Sequence, residues 1–446
     1  MKKIVYLPLD ERPCNALFPV RLFGDAFDIA APSVVGFKKR AVAWEDLRSF
    51  LDQETPGADG LVLSMDMLLY GGLIPSRLHH LDRDTVLERL NYLRDLRRRN
   101  PSTVIYAFQC IMRCPKYSSS DEEPDYYGEC GREIFQLGEA RHRRQLGLED
   151  GANEERLSAL VPKDALEDYL SRRAFNLSFN LEALELVREG VIDELVFPQD
   201  DAARYGFTAQ DQARVRARIS ELRLNTRVLL YPGADELGLT IMSRMLLHFE
   251  NRHPLVYVKM ASVNAASVIP PFEDRPLGET IKYHLISAGC RLASSVSEAD
   301  MVLGVSFPGC AGQDILAAAE NAHDCAVERT LIEFLLFLED ALKFRQAMPD
   351  MKFIYVGGLV CGDKINEVLS HGFEAVQMAR SLLNEPDFVN RLRQDPHHRC
   401  GCRHSNYCIG RMYTADMACH QHLDEPLPDS LQREIERIEQ EQNVNP

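Results

Sequence analysis

Four short runs rich in β-branched and aromatic residues each stop on carboxylates. Ile4-Val5-Tyr6-Leu7-Pro8-Leu9 stops on Asp10-Glu11, and Leu61-Val62-Leu63-Ser64-Met65 stops on Asp66. Leu195-Val196-Phe197-Pro198-Gln199 stops on Asp200-Asp201, and Val228-Leu229-Leu230-Tyr231-Pro232-Gly233-Ala234 stops on Asp235-Glu236. Runs of this length and type read as buried strands. Phe27–Ala31, Thr103–Gln109, Leu255–Lys259 and Met301–Val305 add further strands, the third ending on a lysine. Between strands lie helical patterns. Val86, Leu87, Leu90, Leu93 and Leu96 share one face of a helix that Asp84 is expected to cap and that Arg97-Arg98-Arg99 end before Pro101. Residues 131 to about 190 read as mostly helical, with Gly190 a stop. Strands alternating with helices predict an α/β fold, with a largely parallel sheet or barrel-like βα repeats. In either form the C-terminal ends of the strands share one edge, so Asp10, Glu11, Asp66, Asp200, Asp201, Asp235 and Glu236 are expected to converge on an acidic rim.

Such a rim admits three chemistries. Paired acids act as general acid and base when their surroundings split their pKa values. Clustered acids hold a divalent cation that activates water. Acids also bind sugar or polyol hydroxyls without catalysis. A lone aspartate at a strand end is more often a helix cap or turn former; it is the recurrence at four strand ends that favours a functional rim. Arg12, Arg77 and Arg204 are placed to bind an anionic group or to neutralise the acids. With Asn15, Tyr70 and Tyr205, Arg12 and Arg77 are the substrate-binding candidates. Gly71-Gly72, between Asp66 and Arg77, predict a tight loop where backbone comes close to something. The polar stretch 115–130 reads as an exposed loop able to act as a lid.

The chain of 446 residues is long enough for more than one domain, and its net charge of −16 argues against a nucleic-acid partner. No run approaches the ~18 apolar residues of a membrane span, and the opening lacks a signal-peptide pattern. The expected partner is a small molecule in a cytoplasmic setting. The expected division is an α/β domain over 1–345, a second module over 346–425 and a surface helix and tail over 426–446.

Leu7-Pro8-Leu9-Asp10-Glu11-Arg12-Pro13-Cys14-Asn15, Ser64-Met65-Asp66-Met67-Leu68-Leu69-Tyr70-Gly71-Gly72-Leu73, Gln199-Asp200-Asp201-Ala202 with Tyr205-Gly206, and Pro232-Gly233-Ala234-Asp235-Glu236 resemble the signature blocks of the bacterial domain-of-unknown-function family 4127. The resemblance runs from residue 1 to roughly 340. It implies a shared fold and supplies no reaction.

From about Met348 the pattern changes. Phe353-Ile354-Tyr355-Val356-Gly357-Gly358, a helix from Asp363, the strand Phe373–Met378 with Ala379-Arg380, and a helix from Pro386 form a βαβα unit. It resembles the last two strand–helix units of the (β/α)8 flavin barrel in the old yellow enzyme (NADH:flavin oxidoreductase) family. The resemblance implies FMN, with Gly357, Gly358, Ala379 and Arg380 at its phosphate. The family's first six strands, its histidine pair and its Tyr-Gly-Gly segment have no counterpart here, so either residues 1–340 cover the open strand edges or, as favoured here, the chain is a fusion of two truncated genes. Four tail cysteines, Cys400, Cys402, Cys408 and Cys419, are the metal-ligand candidates. The resemblance implies an iron–sulfur cluster, although their spacing departs from its pattern, and His404, His420 and His422 leave zinc open. Three functions follow: a hydrolase-like enzyme on a hydroxylated substrate fused to an incomplete FMN fragment, an FMN-dependent NADH oxidoreductase, and a non-catalytic sugar-binding module.

Overall fold

A computed structural model describes residues 1–260, 265–270, 273–305, 353–356, 359–402 and 419–422, with single positions 338, 342, 345 and 346. The chain divides into two compact units, Met1–Ala311 and Gly312–Pro446.

The first unit is built on six parallel strands: β1 (Lys2–Leu7), β2 (Phe27–Ala30), β3 (Gly60–Ser64), β4 (Val104–Phe108), β5 (Glu194–Gln199) and β6 (Val228–Pro232). Their order is β2-β1-β3-β4-β5-β6. That order is linear, with β2 and β6 at the edges, so of the two expected forms the chain takes the open sheet. Side chains alternate faces along each strand. Val5, Leu7, Leu61, Leu63, Ile105, Ala107, Leu195 and Phe197 pack into one core with helical residues such as Leu90, Leu93, Leu184 and Val187. Ile4, Tyr6, Val62, Tyr106, Phe108 and Val196 pack into the other with Leu237, Ile241, Met242 and Met245. Burial on both faces explains why the strands read as near-continuous apolar runs.

β1 pairs with both β2 and β3. The chain therefore leaves β1 in one direction and returns to extend the sheet in the other, which makes the crevice above the C-terminal ends of β1 and β3 a topological switch point. The β4–β5 ladder is interrupted further along. It runs to Phe108 opposite Val196 and resumes as a single bridge at Ile111 and Gln199. Pro198 sits in the interval and has no N–H to give. Backbone groups of Cys110 are thereby released to side chains. The Cys110 N–H donates to Asp66 Oδ2 at 2.8 Å, and its carbonyl accepts from Asn180 Nδ2 at 3.2 Å.

Two local expectations are corrected. The helix Arg83–Arg99 is capped by Asp82, whose Oδ1 accepts from the Thr85 N–H at 2.8 Å, while Asp84 lies in its first turn. The stretch 115–130 is not a free exposed loop: Glu123 is 1% exposed and Glu122 is held beside it by arginines. The helix Lys163–Arg188 matches the helical reading and ends before Gly190 at a φ of +77°.

Leu255–Met260, Arg291–Leu292 and Met301–Val305 form a separate three-stranded parallel sheet. In the second unit, Ile354–Val356 and Ala375–Gln377 pair in parallel, and the helix Gly362–Ser370 lies between them in sequence. Gly357, Gly358, His404, Cys408 and the expected terminal helix lie outside the described residues. Among the described residues no helix is long and apolar enough to cross a membrane.

Candidate functional site

Each aspartate of the rim owes its place to the end of a strand. Asp66 falls in the first turn of the helix Met65–Tyr70, which follows β3 directly and is capped by Ser64. It is 2% exposed. Burial pushes its carboxyl up to about 7, against the opposing pull of the Cys110 hydrogen bonds and of Arg77.

Asp200 and Asp201 leave β5 and meet two buried arginines. Arg77 Nη2 reaches Asp200 Oδ2 at 2.6 Å, and its Nη1 reaches Glu122 Oε2 at 3.1 Å and Glu123 Oε1 at 3.4 Å. Arg113 binds the same three carboxylates from another side and adds Asp201: Nε to Glu123 at 2.7 Å, Nη2 to Glu122 at 2.8 Å, and Nη1 to Asp200 at 3.2 Å and Asp201 at 3.0 Å. Two guanidinium groups thus serve four acids, an excess of negative charge that the neighbouring carboxylates share unequally. Burial alone would raise Asp200, but Arg113 and Arg77 hold it below its ordinary value. Burial and the Asp200 charge push Asp201 up to about 6. The Asp201 backbone sits at a φ of +44°, a left-handed position that a non-glycine residue adopts at a cost.

A second bridge spans β1 and β6. Arg12 donates Nε and Nη2 to Asp10 Oδ2 at 2.9 and 2.7 Å, and Nη1 and Nη2 to the two oxygens of Asp235 at 3.0 and 2.6 Å. Asn15 Nδ2 donates to Asp10 Oδ1 at 2.9 Å. Arg12 and Asn15 therefore fix Asp10, and Asn15 is buried. Glu11 turns away to accept from the Lys38 N–H at 2.8 Å. Glu236 faces His284, whose Nε2 lies 3.3 Å from it and 3.1 Å from the Pro232 carbonyl. Tyr205 packs on His142 and stands over Arg143 and Arg204. Glu273-Asp274-Arg275-Pro276 has the acid-acid-Arg-Pro order of residues 10–13 but a different local ion pair, Arg275 Nε on the adjacent Asp274 Oδ1 at 2.8 Å.

Beneath the rim is a small cavity that both Asp66 and Asp200 line. Tyr70, a predicted substrate contact, lines it as a buried residue stacked on His79 at 4.6 Å between ring centroids. The His79 tautomer is fixed: Nδ1 accepts from the Leu81 N–H at 3.3 Å and Nε2 donates to Asn176 Oδ1 at 2.8 Å. Burial pushes this histidine down to about 4. The tight loop at Gly71-Gly72 does approach something closely, and that something is the chain itself. A Cβ on Gly71 would lie 2.8 Å from the Ala41 Cβ and from the Val42 carbonyl oxygen.

A family model described as "Protein of unknown function (DUF4127)" matches residues 4–353. The chain belongs to this family. A stretch of 78 residues is 41% identical to 4,4'-dithiodibutanoate disulfide reductase of Rhodococcus erythropolis, covering 18% of this chain and 19% of that protein. That stretch is too short to establish the old yellow enzyme resemblance. No solved structure matches the chain.

In this DUF4127 chain the residues missed by sequence reasoning are Arg113, Glu122, Glu123, Gln109 and Asn180. Arg113 closes a strand end that carries no acid, so the strand-end rule passed over it. Glu122 and Glu123 were visible only as part of a polar loop. In the second unit, Ala379 stands at the start of the five-residue helix Arg380–Asn384. Cys400 is buried, which pushes its thiol up to about 11, and Cys419 Sγ accepts from Asn384 Nδ2 at 3.2 Å. Cys402 is half-buried. Among the described residues no group of three or more His, Cys, Asp or Glu is arranged to hold a metal ion.

Proposed function

We propose that the DUF4127 unit is a hydrolytic enzyme working by carboxylate acid–base chemistry on a small hydroxylated or sugar-like substrate, in a cytoplasmic setting. The observation that carries the reading is the split among three neighbouring acids: Asp200 held low beside Arg77 and Arg113, Asp201 raised to about 6 and Asp66 raised to about 7. Near neutral pH such a group offers an ionised base in Asp200 and, in Asp66, a carboxyl still about half protonated, the division of labour that general acid–base hydrolysis needs. Asp200 is 27% exposed and so is open to a substrate, while Asp66 is not. Asp235, half exposed on its Arg12 clamp, supplies acceptors for substrate hydroxyls.

The test is a pH–rate profile of the purified full chain on a panel of aryl glycosides and esters. The rate should rise as Asp200 ionises and fall again as the raised acids lose their protons, giving a bell. Asp200→Asn should abolish turnover in a chain that circular dichroism shows to be still folded, with a lowered thermal midpoint from the unpaired arginines. Saturable sugar binding with no turnover by wild type would replace this reading with the non-catalytic binder.

A second reading, an FMN-dependent oxidoreductase in which the DUF4127 unit completes the barrel, draws on the 78-residue similarity to a disulfide reductase and on the parallel strand pair of the second unit. It predicts a coloured protein bleached by NADH.

A further inference from the structure

The cavity beneath the rim is small, about 10 Å³, and one water needs ~10–15 Å³ by the same measure. Three polar atoms of its lining side chains have no hydrogen-bond partner: Tyr70 Oη, Gln109 Oε1 and Asn180 Oδ1. These residues are only 3%, 1% and 1% exposed. The Asn180 amide cannot turn to hide its oxygen without cost, because Nδ2 is committed to the Cys110 carbonyl. The unmet valences are one hydroxyl donor and two amide acceptors. A single water answers all three, donating to Gln109 and Asn180 and accepting from Tyr70, with one lone pair left over. Buried polar groups left unpaired are rare, and an internal water bonded about three times is their usual partner.

We propose that this cavity is a single-water site and that its water is the proton connection between Asp66 and Asp200, the two carboxyl groups that line it. The Asp66 O–H bond breaks and its proton joins the water's free lone pair. The protonated water then gives up its hydrogen bond to Asn180 and turns that O–H to Asp200, and the O–H bond breaks as its proton passes to the Asp200 carboxylate. The water is regenerated, and no further reactant is consumed. Such a link explains how an acid sealed from solvent exchanges its proton with the open rim. The water site stands without any assumption about turnover; the transfer rests on the acid–base reading above.

The experiment pairs a high-resolution crystal structure of the full chain, grown without ammonium salts, with infrared spectra of its carboxylic acid band during exchange into D2O. The structure should show one ordered water bonded to Tyr70, Gln109 and Asn180. The acid band that disappears in Asp66→Asn should exchange in wild type and exchange severalfold more slowly in Tyr70→Phe, where the water loses its donor. Gln109→Met removes one acceptor at similar volume and should show the same slowing if Tyr70→Phe does not fold. A dry cavity, or a cation in place of water, overturns the proposal. Unchanged exchange in a folded Tyr70→Phe or Gln109→Met overturns the proton connection. Wild-type protein that holds the water yet turns over no substrate would overturn the hydrolytic function and leave the water site in place.

Discussion

A carboxyl sealed at the end of β3 sets how pH acts on this protein. The folded state holds Asp66 at about 7, above its ordinary value of 3.8. Between those values the folded state binds the proton and the unfolded chain does not, so stability falls as pH rises from about 4 to about 7. Below that window both states are protonated and the penalty vanishes; above it the full penalty, a few kcal/mol at most for such a shift, is in force. Asp200 acts in the opposite sense, because its lowered folded value makes it a source of stability that is lost as pH falls through that value. Asp66→Asn should therefore reduce the slope between pH 4 and 7, leaving the share that Asp201 contributes below about pH 6, and leave the acid limb from Asp200 intact. Urea denaturation at half-unit pH steps measures this, and an unchanged slope in the variant would show that another group carries it. The aspartates themselves were legible from sequence, since each follows an apolar run. Their partners were not: Arg77 was visible as a cation near Asp66, but its pairing with Glu122, Glu123 and Asp200 spans 45 to 123 residues.

Individual elements show why some local patterns read through and others did not. The strands were legible because burial on both faces leaves a run of Val, Ile, Leu and Tyr that no helix of that length needs. The helix Lys163–Arg188 was legible as a helix but not by its buried face. Arg172, Arg173, Asn176 and Asn180 recur at helical spacing and are all buried. Arg173 pairs with Asp211 at 2.6 Å and donates to the Arg113 carbonyl at 3.1 Å, so this polar stripe holds the segment that carries the site. Hydrophobic periodicity cannot see a core face made of arginine and asparagine. The glycine pair after Tyr70 was read correctly as a close approach, with its neighbour unknown. Gly71 ends the helix Met65–Tyr70 at a φ of +83°, and its carbonyl accepts from the Val42 N–H at 3.2 Å. Gly71→Ala meets both the left-handed penalty and the clash with Ala41 and Val42, so it should destabilise by more than the ~1 kcal/mol of an unclashed left-handed alanine. A thermal midpoint within a degree of wild type would mean that the 36–42 loop yields freely.

For the molecule as a whole, α/β architecture and the shared edge of the strand ends followed from alternation alone, because every parallel connection must return the chain to the same side of the sheet. Strand order did not follow: nothing local in β1 shows that both β2 and β3 will flank it, and that choice places the switch-point crevice beside Asp10 and Asp66. The tail poses the same problem more sharply. Its two described strands pair in parallel, as the resemblance implied, but a local pair does not make a barrel, because closure needs a full circuit of strands with matched tilt and stagger. Flavin binding draws on that circuit, since phosphate contacts at strand ends hold only one end of the cofactor. Ala379 stands at a helix of five residues, and the sequence offers no counterpart of the strands that would grip the ring. The full chain incubated with FMN and passed through a desalting column should therefore emerge without a stoichiometric flavin band. A one-to-one band that NADH bleaches would mean that the two units build the missing circuit between them, and the oxidoreductase reading would then displace the acidic rim as the principal activity.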